Sequence, residues 1–229
     1  MKSILLASTI MFVTAGSTLA ADAVAPPSEL APAGFVWTGG YVGLQAGWQW
    51  GNDHDIEFLG GAPTGFEQDF DTDGFIGGVH AGYNWQSGQV VYGVEGDFEF
   101  SGVDGGYRVG GDDSTGFEMT WQASIRGRLG FVAMERLLVY GAVGAAFGNL
   151  EYTYVDAGTI SETFDETKVG WTAGAGVEYA LTDRITTRLE YRYTDFGSIS
   201  NLSTLAFPGF TYEHDPKFHS VRVGLSYKF

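Results

Sequence analysis

The stretch P-K-F-H-S-V-R-V-G-L-S-Y-K-F occupies residues 216–229 of the 229-residue sequence. Val221, Val223, Leu225, Tyr227 and Phe229 alternate with Ser220, Arg222, Gly224, Ser226 and Lys228. A period of two puts the first set on one face of a β-strand and the second on the other. The alternation runs to the last residue, with no polar tail after it. A terminal strand frays unless it is tied down. This one is therefore expected to be paired on both edges, as in a closed cylinder, with its apolar face turned to lipid.

Working back from that strand, the same alternation recurs near residues 38–50, 73–86, 90–101, 118–132, 137–152, 168–181 and 185–197. In the fifth segment it is weakest, because both faces carry small apolar residues. Segments 51–72, 102–117, 153–167 and 198–215 are longer and polar. Between them fall short turns at 87–89, 133–136 and 182–184. The rhythm of long and short connections predicts an all-β fold: an eight-stranded antiparallel transmembrane β-barrel with long extracellular loops and short periplasmic turns. The six prolines avoid the strand interiors of this plan, as a continuous ladder requires.

The outward-facing aromatics sort into two rims when the chain is followed up and down. One rim collects Trp48, Trp50, Phe75, Phe98, Phe100, Trp121, Phe147, Trp171, Tyr191 and Tyr193. The other collects Tyr83, Trp85, Tyr92, Phe131, Tyr179, Tyr227 and Phe229. Two aromatic girdles about an aliphatic belt match the two interfaces of a bilayer. A soluble barrel would have to bury the opposite face, with its Gln45, Gln49, His80 and many charges, as a dry core. Unpaired charges make that prohibitive.

Composition narrows the function. The net charge of −16 disfavours nucleic-acid partners. The absence of cysteine removes disulfides and thiolate metal sites. Residues 1–20 read as a signal peptide: Lys2, an apolar run at 4–13, and Thr18-Leu19-Ala20 before Ala21. Losing Lys2 takes the basic count from 12 to 11 and the net charge to −17. Residues 21–37, with Pro26, Pro27 and Pro32, are expected to be a loosely ordered periplasmic lead-in. Residues 38–229 form the barrel domain.

Four stretches carry a resemblance: W-T-G-G-Y-V-G-L-Q-A-G at 37–47, D-G-F-I-G-G-V-H-A-G-Y-N-W-Q at 73–86, V-Y-G-V-E-G-D at 91–97, and the Phe229 ending. They resemble the small outer-membrane β-barrel family of alphaproteobacteria, of the porin-like and opacity-like type. The resemblance implies a multi-pass protein of the bacterial outer membrane, in contact with lipid and lipopolysaccharide. It implies that Tyr227 and Phe229 form the assembly signal read by the barrel-assembly machinery. It also implies surface loops that meet host or surface partners, and in some branches bind hemin. It implies no catalytic residue and no cofactor.

Several constellations stand out on the residues alone. The inward face carries Glu95, Asp97, Glu99, Glu178 and Glu190 together with Arg126, Arg128, Arg188, Arg192, Arg222 and Lys228. An eight-stranded barrel is only just wide enough for its own side chains, so these are expected to pair mainly between neighbouring strands and plug the lumen. The alternative is a small solute path, as in a porin. Asp69, Asp71 and Asp73 begin a D-x-D-x-D-G calcium loop, but its twelfth position is His80 in place of glutamate. The four long segments hold 15 of the 28 acids, with Arg108 their single base. His54 and His214 fall in these segments as candidate hemin ligands. Leu202, Leu205, Phe207 and Phe210 make an apolar patch that either folds over the mouth or meets a partner. No serine–histidine–acid spacing or phosphate loop points to an enzyme.

Overall fold

The structure, a computed structural model, describes residues 34–229. The signal peptide expected at 1–20 and most of the lead-in expected at 21–37 lie outside the described residues. Ten strands follow in order: β1 (Gly39–Leu59), β2 (Ala62–Ser87), β3 (Val90–Arg108), β4 (Ser114–Met134), β5 (Leu137–Asp156), β6 (Ile160–Ala180), β7 (Ile185–Asp195), β8 (Ile199–Leu202), β9 (Phe210–His214) and β10 (Lys217–Lys228). β1 to β7 pair antiparallel in sequence, β10 pairs β7, and β10 closes on β1 from Tyr41↔Lys228 to Asn52↔Lys217. These eight strands make the barrel. β8 and β9 are a short hairpin on its outer end.

The segments expected as loops at 51–72, 102–117 and 153–167 are instead strand arms that carry β1–β2, β3–β4 and β5–β6 beyond the girdle. They turn back tightly, at Gly60-Gly61 (φ 61 and 82) and at Ala157-Gly158 (φ 47 and 66). The reason is visible in their faces. Above the bilayer the outward residues meet water and are polar, as at Asp69 and Asp71. The inward residues Phe70, Val103, Phe117, Tyr152 and Tyr154 stay buried. Two-residue periodicity persists while mean hydropathy falls. In the last segment, β9 extends the wall by pairing Asp55↔His214 through Leu59↔Phe210 with β1, above the point where β10 leaves it.

The register of β4 also differs from simple alternation. A bulge between Met119 and Gln122 switches its inward positions from odd to even. Met119, expected outward, is therefore fully buried, while Gln122, Ser124, Arg126 and Arg128 line the lumen. Bulges change facing in this way because one extra residue opposes the partner strand. The outer wall keeps the expected pattern: Trp48, Phe75, Phe100 and Trp171 are exposed near one rim, Trp85, Tyr92, Phe131 and Tyr179 near the other, and Leu44, Ile125, Leu129 and Val223 between them.

Inside, the barrel is layered. At the outer end Phe70, Phe117, Met119, Leu150, Tyr152, Phe196, Ile199, Tyr212 and Phe218 pack together. At the periplasmic end Phe35 and Trp37 pack with Val91, Leu138, Tyr140 and Ala180. The chain just before β1 is thus seated in the barrel's lower mouth, unlike a loose lead-in. Phe35 and Trp37 meet edge to face at 4.7 Å, and the Trp37 amide donates to Gln86 Oε1 at 2.7 Å.

Trp37 is 1% exposed and Val36 beside it is 58% exposed. Trp37→Ala is expected to lower unfolding stability by about 3–5 kcal/mol, the range for a buried aromatic truncation, and Val36→Ala by little. Urea unfolding in lipid vesicles measures both; equal effects would show that the lower mouth does not depend on Trp37.

Candidate functional site in the barrel interior

Between the two apolar layers lie five carboxylates, Glu95, Asp97, Glu99, Glu178 and Glu190, and five guanidiniums, Arg126, Arg128, Arg188, Arg192 and Arg222. None is more than 7% exposed. Glu95 is the hub. It accepts from Arg126 at 2.7 Å, Arg188 at 2.5 Å, Arg128 at 3.4 Å and the Tyr41 hydroxyl at 2.8 Å. Arg126 also donates to Glu190 at 2.8 Å, and Glu190 receives Arg192 Nε at 3.0 Å and the Tyr140 hydroxyl at 2.8 Å. Asp97 takes Arg192 at 3.1 Å, and Glu99 takes Arg222 Nε at 2.9 Å with Gln45 and Gln122 at 2.8 and 2.9 Å. Arg128 reaches Glu178 at 2.7 Å.

Most of these pairs are not the neighbour-strand pairs that alternation suggests. By register, Arg222 opposes Glu190 and Arg188 opposes Glu178. In space Arg222 crosses the lumen to Glu99, and Arg188 crosses to Glu95. The lumen is narrow enough for long side chains to span it, so the three carboxylates on β3 together draw guanidiniums from β4, β7 and β10. Arg126 with Glu95 is the expected neighbour pair that is also in register. Lys228 is a correction. It lies at the lower rim opposite Tyr41, with its ammonium 5.6 Å from the Phe35 ring, and joins none of these ion pairs. Sequence reasoning missed the clearance the arginines need. A side chain on Gly224 would come within 3.0 Å of the Arg188 side chain, and one on Gly176 would meet the Leu189 carbonyl at 2.6 Å and the Tyr140 hydroxyl at 2.8 Å. The weak alternation of β5 places Ala142, Gly144 and Ala146 on its inward face.

The calcium reading is overturned by local geometry. Asp69, Asp71 and Asp73 lie on the extended β2 arm, all exposed on its outer face. Alternate residues of a strand stand nearly 7 Å apart and side by side, so they do not wrap an ion. Among the described residues no group of three acids or histidines converges on a metal position. The hemin candidates are also separated. His54 is on the outer face, 2.7 Å from Asp69 Oδ1, and that hydrogen bond raises its pKa.

His214 is buried and not a solvated loop histidine. Its ring stacks on Tyr152 at 4.0 Å, its Nε2 is 2.6 Å from the Tyr154 hydroxyl, and its Nδ1 is 3.1 Å from Asp53 Oδ2. Around it, Tyr152 donates to Asp53 at 2.8 Å and Tyr107 donates to Asp55 at 2.7 Å. Burial raises the Asp55 pKa, against the opposing pull of His214 and the Tyr107 hydroxyl. Asp53 and Asp55, expected in a solvated acidic loop, thus belong to the interior of the arms.

One clamp was not legible at all. Glu162, on the β6 arm, accepts from Ser203 Oγ at 2.7 Å, Thr204 Oγ1 at 2.9 Å, and the amides of Thr204 and Leu205 at 3.0 and 3.1 Å. Partial burial acts to raise its pKa, but these hydrogen bonds outweigh it and hold the carboxyl at about 2. The clamp fastens the segment between β8 and β9, with Ala206 tucked into the upper core.

A closed antiparallel barrel with an aliphatic belt, two aromatic rims and a charged, self-paired lumen defines a transmembrane β-barrel of the outer membrane. Residues 11–229 match the family model described as outer membrane protein beta-barrel domain. A 31 kDa outer-membrane immunogenic protein of Brucella melitensis biotype 1 is 40% identical over 250 positions, covering 100% of both chains. A 22 kDa outer membrane protein of Rhizobium leguminosarum bv. viciae is 42% identical, covering 75% of this chain and 76% of its own. The crystal structure of OprG from Pseudomonas aeruginosa shares the fold with a TM-score of 0.57 at 15% identity, covering 84% of this chain and 96% of that one. The chain belongs to the outer-membrane β-barrel protein family and is a protein of the outer membrane.

Arg126→Ala leaves Glu95 and Glu190 each short of a partner in a buried layer. It is expected to cost about 3–5 kcal/mol of unfolding stability. Arg108→Ala, at an exposed position on an arm, should be nearly neutral; the pair is compared by urea unfolding in vesicles, with heat-modifiable gel migration as a folding check.

The Glu162 clamp carries a pH dependence of known sign. A depressed carboxylate contributes its full stability above its unfolded pKa of about 4.3. That contribution is lost as pH falls toward the folded value of about 2. Amide exchange at Thr204 and Leu205 is expected to speed up across that window relative to Leu150, beyond the intrinsic pH effect. Glu162→Gln should remove the difference, and an unchanged profile in that variant would exclude the clamp.

Proposed function

We propose that this protein is a non-enzymatic integral component of the outer membrane. On this reading its lumen is sealed by its own ion pairs, and its arms present surface to the outside. The observation that carries the reading is the balanced layer of five carboxylates and five guanidiniums, none above 7% exposed, between two apolar layers. A permeating solute would have to break several buried pairs at once, each costly to separate. The relatives' names, outer-membrane immunogenic protein among them, are in keeping with a surface-presenting role. Lipopolysaccharide around the upper girdle, the barrel-assembly machinery acting on the Tyr227 and Phe229 ending, and host or surface partners at the arms are part of the same proposal. A hemin role for His54 and His214 has less support, since one is held by Asp69 and the other is buried against Tyr152 and Tyr154.

The competing reading is a porin-like channel for small solutes. Planar-bilayer recording separates the two. The sealed barrel is expected to be silent or to show rare, small events, and Glu95→Ala with Arg188→Ala should raise their frequency. Steady nanosiemens-scale openings of the wild-type protein would establish the channel and sink the seal.

A further inference from the structure

Above the neutral ionic layer the interior changes character. The outer end holds a cavity of about 130 Å³ between the arms and the β8–β9 segment. Phe66, Tyr107, Phe207 and Tyr212 supply aromatic surface to it, and Glu57 and Asp113 supply carboxylates. No lysine or arginine lines it among the described residues. Arg108, next to Tyr107 in sequence, is exposed. Below the wall the imbalance continues. Tyr107 donates its hydroxyl to Asp55, Asp55 Oδ1 has no hydrogen-bond partner among the described residues, and His214 is the one base beside Asp53 and Asp55.

We propose that this cavity binds a small organic monocation, a primary or alkylated ammonium group entering from outside the cell. Three features select that chemistry. The aromatic faces attract a cation whose surface is partly apolar. The phenol of Tyr107, donating to a carboxylate, has its ring polarised toward greater electron density, which strengthens that face. Glu57 and Asp113 supply the countercharge without surrounding the space, so an alkali-earth ion, which needs six or more oxygens, has too few ligands. The size fits as well: the space takes several waters or one compact ammonium headgroup. A free carboxylate or phosphate ligand is excluded by sign. The site lies on the outer side of the ionic layer and does not depend on whether that layer conducts.

The probe is tetramethylammonium chloride, titrated against the full folded protein in a non-ionic detergent, with sodium chloride holding ionic strength constant. Saturation-transfer NMR of the probe methyl groups reads binding directly. Saturable binding in the millimolar range is expected. Glu57→Gln and Asp113→Asn should each weaken it roughly tenfold, and Tyr212→Leu should do the same by removing an aromatic wall. Glu67→Gln, an exposed acid on the outer face of the β2 arm, should leave it unchanged. Heat-modifiable gel migration confirms that each variant is folded. The proposal is overturned by absence of saturable binding to folded protein. It is equally overturned if Glu57→Gln, Asp113→Asn and Glu67→Gln weaken binding alike, which would mark a diffuse acidic surface. Displacement of the probe by magnesium chloride at equal ionic strength would also overturn it, assigning the cavity to metal ions.

Discussion

Ten ionised side chains share an interior that an eight-stranded barrel can barely fill, and such charges are tolerable only if they neutralise one another. Much of the rest follows from that constraint. Glu95, Asp97 and Glu99 sit at alternate positions of β3 and so face the same space. Carboxylates at this spacing repel, and burial weakens the screening that solvent gives at a surface. Their partners come from three strands, with Arg126 on β4, Arg188 and Arg192 on β7 and Arg222 on β10. Guanidinium suits this duty because its fork of donors meets two carboxylates at once, as Arg126 does with Glu95 and Glu190. Volume must then be released elsewhere. Gly224 on β10 is such a release, since a side chain there would come within 3.0 Å of the Arg188 side chain.

The bilayer imposes a second constraint, from outside, and it stops at the upper girdle. Above Trp50 and Phe75 the outward face no longer meets lipid, so it turns polar. The inward face still meets other side chains, so it stays apolar and aromatic. Six strands continue as arms for that reason. β7 and β10 end near Asp195 and Lys217, in register with each other, and β9 with β8 takes over the wall above them. Two carboxylates fasten this replacement. Asp53 on β1 accepts the Asp215 amide at 2.9 Å, and Glu162 on β6 gathers Ser203, Thr204 and Leu205. The outer end is held by directed hydrogen bonds where the membrane-level wall is held by ladder and lipid.

Facing is written in a strand's own sequence, and partnership is not. Period-two alternation made the eight barrel strands, the short turns and the inward charges readable, because it depends on a single strand at a time. The pairing of Arg222 with Glu99 was not readable, since register points Arg222 at Glu190. Which side chain crosses a lumen depends on the diameter of the whole cylinder. The bulge that turns Met119 inward has no signature in the alternation on either side of it. The arms are obscured because apolar–polar alternation marks a strand only where one face meets lipid; above the membrane the outward residues are polar and the pattern fades. Asp69, Asp71 and Asp73 matched a motif whose meaning requires a loop, and the backbone there is extended. In sequence His214 resembles any loop histidine; its burial depends on β9 lying against β1, fixed by contacts such as Asp215 with Asp53, 162 positions away.

These separate constraints leave the interior graded along its axis. The periplasmic layer, with Phe35 and Trp37, is apolar. The middle is charged but neutral, and on the proposed reading it repels a bare anion and a bare cation alike, since either would have to replace an existing partner. The outer chamber is different: Asp53, Asp55, Glu57 and Asp113 are set against His214. Phe117, Tyr152, Phe218 and Met119 belong to the apolar cluster of the outer end. On the proposed reading, a cation drawn into this chamber gains countercharge and aromatic contact, but finds no negative path continuing below. It leaves by the side it entered. On that reading, an unbalanced chamber above a balanced ionic layer recognises a ligand at the cell surface without transporting it.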